Sequence, residues 1–151
     1  MAYADGFLLQ VPTKNMAAYK RMSEKAGKVW MEYGALDYKE CWGDDMTAEG
    51  MTTTFPKALR VKSSQTIVFS WIVYASKAER NRILKLVMAD PRLAKMPDPM
   101  PFDPTKMLYG GFEVIVDMLP GATKRAPAKK RAAPKKAKKS AAKAKAKRAR
   151  N

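Results

Sequence analysis

Residues 65–75, QTIVFSWIVYA, are β-branched and aromatic almost throughout, with large apolar side chains at both odd and even positions. A strand exposing one face to water alternates apolar with polar, so this pattern predicts a central strand covered on both faces. The fold follows from what flanks it. Upstream, YADGFLLQV (3–11) stops at Pro12 and reads as a strand. Thr13 is placed to cap a helix whose apolar positions are Met16, Tyr19, Met22, Ala26, Trp30 and Tyr33, a single stripe at helical spacing. Gly34 supplies the left-handed stop.

ALDYKECWG (35–43) alternates, with Leu36, Tyr38, Glu40 and Trp42 on one side and Asp37, Lys39 and Cys41 on the other. GDDMTAEGMTTT (43–54) reads as a loop, and FPKALRVKSS (55–64) as an optional edge strand weakened by Pro56. Downstream, Ser76 and Glu79 form a capping box opening a helix over KAERNRILKLVMA. Its buried side is expected to hold Ile83, Leu84, Val87 and Met88, with Arg80, Arg82 and Lys85 facing water as a small basic surface. Five prolines between 91 and 106 make an extended loop, able to lid a cavity or clasp a partner subunit. KMLYGGFEVIVDML (106–119) supplies the last strand, its Gly110-Gly111 pair suggesting a bulge or a close backbone approach.

The order predicts an α+β fold, a ferredoxin-like βαββαβ sandwich with helices on one face of an antiparallel sheet. The other face also carries large apolar residues, and a second copy of the sheet would cover it. The expectation is therefore a homodimer forming an α/β-barrel. Domain boundaries are expected at 1–119 for this unit and 120–151 for a tail.

Composition separates the two parts. Residues 124–151 hold 14 Lys or Arg, 10 Ala and no acid, for a charge of +14, whereas residues 1–123 carry only +2 of the total +16. A segment without aromatic or large aliphatic residues cannot offset its chain entropy by burial, so the tail is expected to be disordered when free. Its cations are Lys124, Arg125, Lys129, Lys130, Arg131, Lys135, Lys136, Lys138, Lys139, Lys143, Lys145, Lys147, Arg148 and Arg150. They would bind phosphate non-specifically by counterion release, without an aromatic residue to stack on a base. Pro127 and Pro134 within Lys/Ala runs resemble a linker-histone tail. A solubilising tail and an anionic membrane surface are the alternatives, the latter disfavoured by the lack of an apolar anchoring face.

The chain contains no histidine and one cysteine, Cys41. Histidine-based nucleophilic catalysis, His-ligated haem and the common zinc sites are thereby excluded, and neither metal nor cofactor is implied. Cys41, without a His partner, reads as a small buried hydrophobe. A single cysteine and no membrane-length apolar run give the expectation of a soluble cytoplasmic protein, with nucleoid association available through the tail.

The motifs DGF (5–7), VP (11–12), GAL (34–36), ECW (40–42), VFSWI (68–72), DPR (90–92), MPFD (100–103) and GGFE (110–113), in this order, resemble the YbaA-like family of uncharacterised bacterial proteins. The resemblance runs from about Tyr3 to Asp117 and implies a dimeric α/β-barrel and no particular activity. Ala75 and Pro104 depart from the family pattern, and the tail lies outside it.

For an enzyme or small-molecule binder, the candidates are Glu40, which alternates with Tyr38 and Trp42, and Glu113, which alternates with Tyr109. Carboxylates among aromatics in a barrel interior would have raised pKa values and could act as general acid or base; Phe102 of MPFD could help line the pocket. The alternative is that both glutamates form salt bridges at the barrel rim. Sequence leaves enzyme, binder and structural roles open.

Overall fold

In a computed structural model that describes residues 1–47, 50 and 53–118, the compact unit is Met1–Asp117. The element order is β1 (Tyr3–Pro12), α1 (Met16–Glu32), β2 (Asp37–Trp42), α2 (Phe55–Ala58), β3 (Gln65–Tyr74), α3 (Lys77–Met88) and β4 (Leu108–Glu113). The strands form one antiparallel sheet in the order β2-β3-β1-β4. The two-faced strand read at 65–75 is indeed internal, paired with β1 from Tyr3↔Tyr74 to Pro12↔Gln65 and with β2 from Asp37↔Val73 to Trp42↔Val68. The tail and its basic residues lie outside the described residues.

Period-2 geometry sorts the side chains. Val68, Ile72 and Tyr74 point to the helices with Leu9 and Val11, and pack against Tyr19, Val29, Ile83 and Val87. On the opposite face Phe69, Trp71 and Phe112 share a surface with Leu8 and Leu108. Phe69 and Phe112 are about half exposed there, at 45% and 59%. At one end of this face sits α2, where a short edge strand had been expected. Pro56 in the first turn, after an extended Thr54, favours a helical turn because its missing N–H would be unpaired there anyway. Phe55 stacks on Phe69 at 6.5 Å and Gln10 Nε2 donates to the Leu59 carbonyl.

Local signals held at several ends. Gly34 has φ +107°, the left-handed conformation that a helix stop requires. Ser76 Oγ accepts from the Glu79 amide at 3.1 Å. Thr13 does not cap α1; its hydroxyl donates to the Ser64 carbonyl, and a 3-10 turn intervenes. Gly110 and Gly111 form no bulge but keep regular register with Gly6 and Asp5. They do mark a close approach, since a Cβ at Gly111 would lie 2.5 Å from the Tyr3 hydroxyl.

Two expectations for α3 are corrected. Met88 is exposed, because the buried stripe runs through Ile83 and Val87 and the helix ends one residue after it. Arg80 turns inward: its Nε donates to Asp5 Oδ2 at 2.9 Å, so the basic surface of Arg80, Arg82 and Lys85 does not form as read. Asp5 is buried and also accepts from Tyr74 at 3.2 Å and Tyr109 at 3.1 Å. One carboxylate thus joins β1, β3, β4 and α3, with the Arg80 guanidinium 5.9 Å from the Tyr3 and Tyr109 ring centres. Cys41 is exposed rather than buried, being on the outer face of the edge strand β2.

Asp5→Ala leaves the partly buried Arg80 and the phenols of Tyr74 and Tyr109 without their shared acceptor and is expected to cost about 3 kcal/mol, as read by chemical denaturation. Asp90, at the end of α3, accepts from Tyr33 and Arg92. The hydrogen bonds from Arg92, with that from Tyr33, hold its carboxyl well below the usual range. A depressed folded-state value contributes stability above the unfolded pKa of ~4 that is lost as pH falls below it. Melting temperature should therefore drop progressively below about pH 5, and Asp90→Asn should flatten that dependence.

Candidate functional site

Between α1 and the edge strand β2 lies a cavity of about 770 Å³. Its α1 wall is built from Met16, Tyr19, Ser23, Gly27 and Met31, positions three or four apart and so on one side of the helix. Tyr38, Glu40 and Trp42 form the β2 wall, alternate residues of a strand, and Val68 of β3 completes the floor. Lys20, Glu24 and Lys28 ring the opening.

The chemistry centres on Glu40. Tyr19 Oη donates to Glu40 Oε2 at 2.7 Å and Tyr38 Oη donates to Glu40 Oε1 at 2.8 Å. Burial, and then the negative charge of Glu40, push both phenols far above the ordinary tyrosine range, so they remain donors at any physiological pH. Among the described residues, no Lys or Arg is ion-paired with Glu40; Lys20 is paired with Glu24 at 3.9 Å. Ser23 is buried, and its Oγ has no hydrogen-bond partner among the described residues.

Gly27 makes this arrangement possible. A Cβ there would sit 2.8 Å from the Tyr38 ring, closer than real contacts allow. A mid-helix glycine costs roughly 1 kcal/mol relative to alanine, and here it lets the ring lie against the helix. Tyr38 then reaches Glu40 from one side as Tyr19 does from the other. Phe102 packs edge-on to Tyr19 at 5.9 Å, and Asn15 Nδ2 donates to the Pro101 carbonyl at 2.8 Å, so the MPFD segment buttresses the end of α1.

The structure therefore gathers Tyr38, Glu40 and Trp42 into one cavity, with Phe102 behind it, and separates the other candidates. Glu113 lies on β4 and Glu40 on β2, the two outer strands. Three strand spacings and a four-residue offset along the strands, Glu40 being in line with Tyr109, put them on the order of 20 Å apart, too far for an acid–base pair. Both lie on the helix-bearing face, because Glu40 is opposite Ser70 and Glu113 opposite Tyr3. They do not line the open face that would form a barrel interior. Tyr109 serves Asp5 instead. Tyr19, Ser23 and Gly27 were not among the expected site residues. Ser23 and Gly27 continue from Tyr19 at every fourth position as small residues, which a search for large apolar residues passes over.

In a spectrophotometric titration, Tyr19 and Tyr38 should stay protonated through the pH ~10 transition of exposed tyrosines. Glu40→Gln should lower their transition by removing the charge, leaving the part due to burial. Gly27→Val should displace Tyr38 and abolish that difference while unfolding the protein more easily in denaturant.

The family model described as "Protein of unknown function (DUF1428)" matches residues 2–104, which include every residue of the cavity. "Uncharacterized protein YbaA" of Escherichia coli (strain K12) is 42% identical over 117 residues, covering 78% of this chain and 99% of that protein. The same values hold for "Uncharacterized protein YbaA" of Shigella flexneri. Almost the whole relative is matched by about four-fifths of this chain, and the rest has no counterpart in it. The chain belongs to the DUF1428 family.

Proposed function

We propose that the protein is a homodimer of ferredoxin-like units, paired through the open faces of their sheets into an α/β-barrel, whose basic tails bind nucleic acid non-specifically. The observation that carries this reading is the partition of charge. Residues 124–151 hold +14 with no acid, while residues 1–123 hold +2. Phosphate neutralisation by that density of Lys and Arg releases counterions whatever the base sequence. Pairing is supported by the exposed Phe69 and Phe112 on the sheet face opposite α1 and α3. A dimer presents two tails and raises apparent affinity through effective concentration. Placement in the cytoplasm, on the nucleoid, belongs to the same proposal; among the described residues no helix is long and apolar enough to cross a membrane.

A second reading is favoured by a specific observation, the Tyr19–Glu40–Tyr38 cluster at the base of a cavity. A carboxylate held by two phenols, open on its remaining side, suits a small-molecule binding site in the folded unit. The two readings are compatible, one residing in the tail and the other in the family domain.

Binding of labelled duplex DNA and single-stranded RNA should fall by roughly a thousandfold between 50 and 200 mM salt if about 6 phosphates are contacted, and should vanish on truncation after residue 119. Binding that survives the truncation, or that is lost already well below 150 mM salt, would remove the nucleic-acid role. Phe112→Asp, which buries a charge in the proposed sheet-to-sheet contact, should yield a monomer in sedimentation while the circular dichroism stays unchanged.

A further inference from the structure

Two carboxylates in this fold are each held by two phenols. Asp5 takes hydrogens from Tyr74 and Tyr109, and Glu40 from Tyr19 and Tyr38. The first is completed by a cation: the single Arg80 Nε–H is shared between both oxygens of Asp5, at 3.1 and 2.9 Å, with the guanidinium near two aromatic rings. The second has no such cation among the described residues and faces a cavity instead.

We propose that this vacant position takes an organic cation with paired N–H donors, an amidinium or guanidinium, on an apolar body; the proposal rests on the small-molecule reading above. A carboxylate offers about four acceptor positions, of which the phenols occupy one on each oxygen. The remaining pair, one per oxygen, matches two parallel N–H groups of a planar cation better than a single ammonium. Met16, Met31 and Trp42 provide the apolar and aromatic surface for its body, and an indole face attracts a delocalised cation. Lys20 is offset by Glu24, and Lys28 is solvent-exposed, where its repulsion is screened.

The test titrates the full-length protein with benzamidine, benzoate and benzamide, following the indole N–H resonance of Trp42 by NMR. That readout reports the cavity and ignores anions collected by the tail. Benzamidine is expected to shift the resonance saturably, benzoate and benzamide at least about tenfold more weakly, and Glu40→Gln to weaken benzamidine about tenfold or more. Met31 is 45% exposed, so Met31→Lys should fold, and the added cation should weaken benzamidine severalfold. Benzoate or benzamide binding as well as benzamidine, or benzamidine indifferent to both substitutions, would overturn the cation assignment while leaving a ligand site. No saturable shift with any probe would overturn the assignment and the small-molecule reading together.

Discussion

The buried Asp5 carboxylate is the constraint around which the helix-bearing side of the sheet is organised. It is a charge taken out of water, tolerable only because Tyr74, Tyr109 and Arg80 all donate to it. Those donors come from β3, β4 and α3, so satisfying one side chain fixes how three elements sit on β1. The glycine at 111 is part of the same demand, since any side chain there would strike the Tyr3 ring over which Arg80 lies.

Across the same face, Glu40 repeats that chemistry in an unfinished form. It has the two phenols without the guanidinium, and a cavity occupies the side where the cation would be. The difference follows from position. Asp5 lies on β1, an internal strand that Arg80 of α3 reaches, whereas Glu40 lies on β2, an edge strand whose Tyr38 ring lies against Gly27 of α1. A closed set ties elements together, and an open one leaves acceptor positions free. Gly27 links sequence to that surface, because the Tyr38 ring takes its place against α1 only where the helix has no side chain.

Much of this was legible in the sequence, for identifiable reasons. The two-faced pattern of 65–75 marks β3 as internal, and the alternation of ALDYKECWG (35–43) puts Tyr38, Glu40 and Trp42 on one side, as the structure has them. Which side that is stays open in the sequence, since strand alternation gives parity but not which parity meets the helices. Arg80 was read as solvent-facing because its partner lies 75 residues away, and no local pattern encodes that distance. Tyr19 was recognised as apolar stripe and missed as a donor for the same reason, its acceptor being 21 residues away on another element. The short helix α2 was hidden by Pro56, which is compatible with an edge strand and with a first helical turn alike.

A high-resolution crystal structure of the unliganded full-length protein tests the central claim most directly, that Glu40 is a carboxylate held open by two phenols. The account predicts Tyr19 and Tyr38 on its two oxygens, with ordered water along its remaining edge. Lys20 or Lys28 folded into the cavity and ion-paired with Glu40 would contradict it, making the site a second closed pair like that of Asp5.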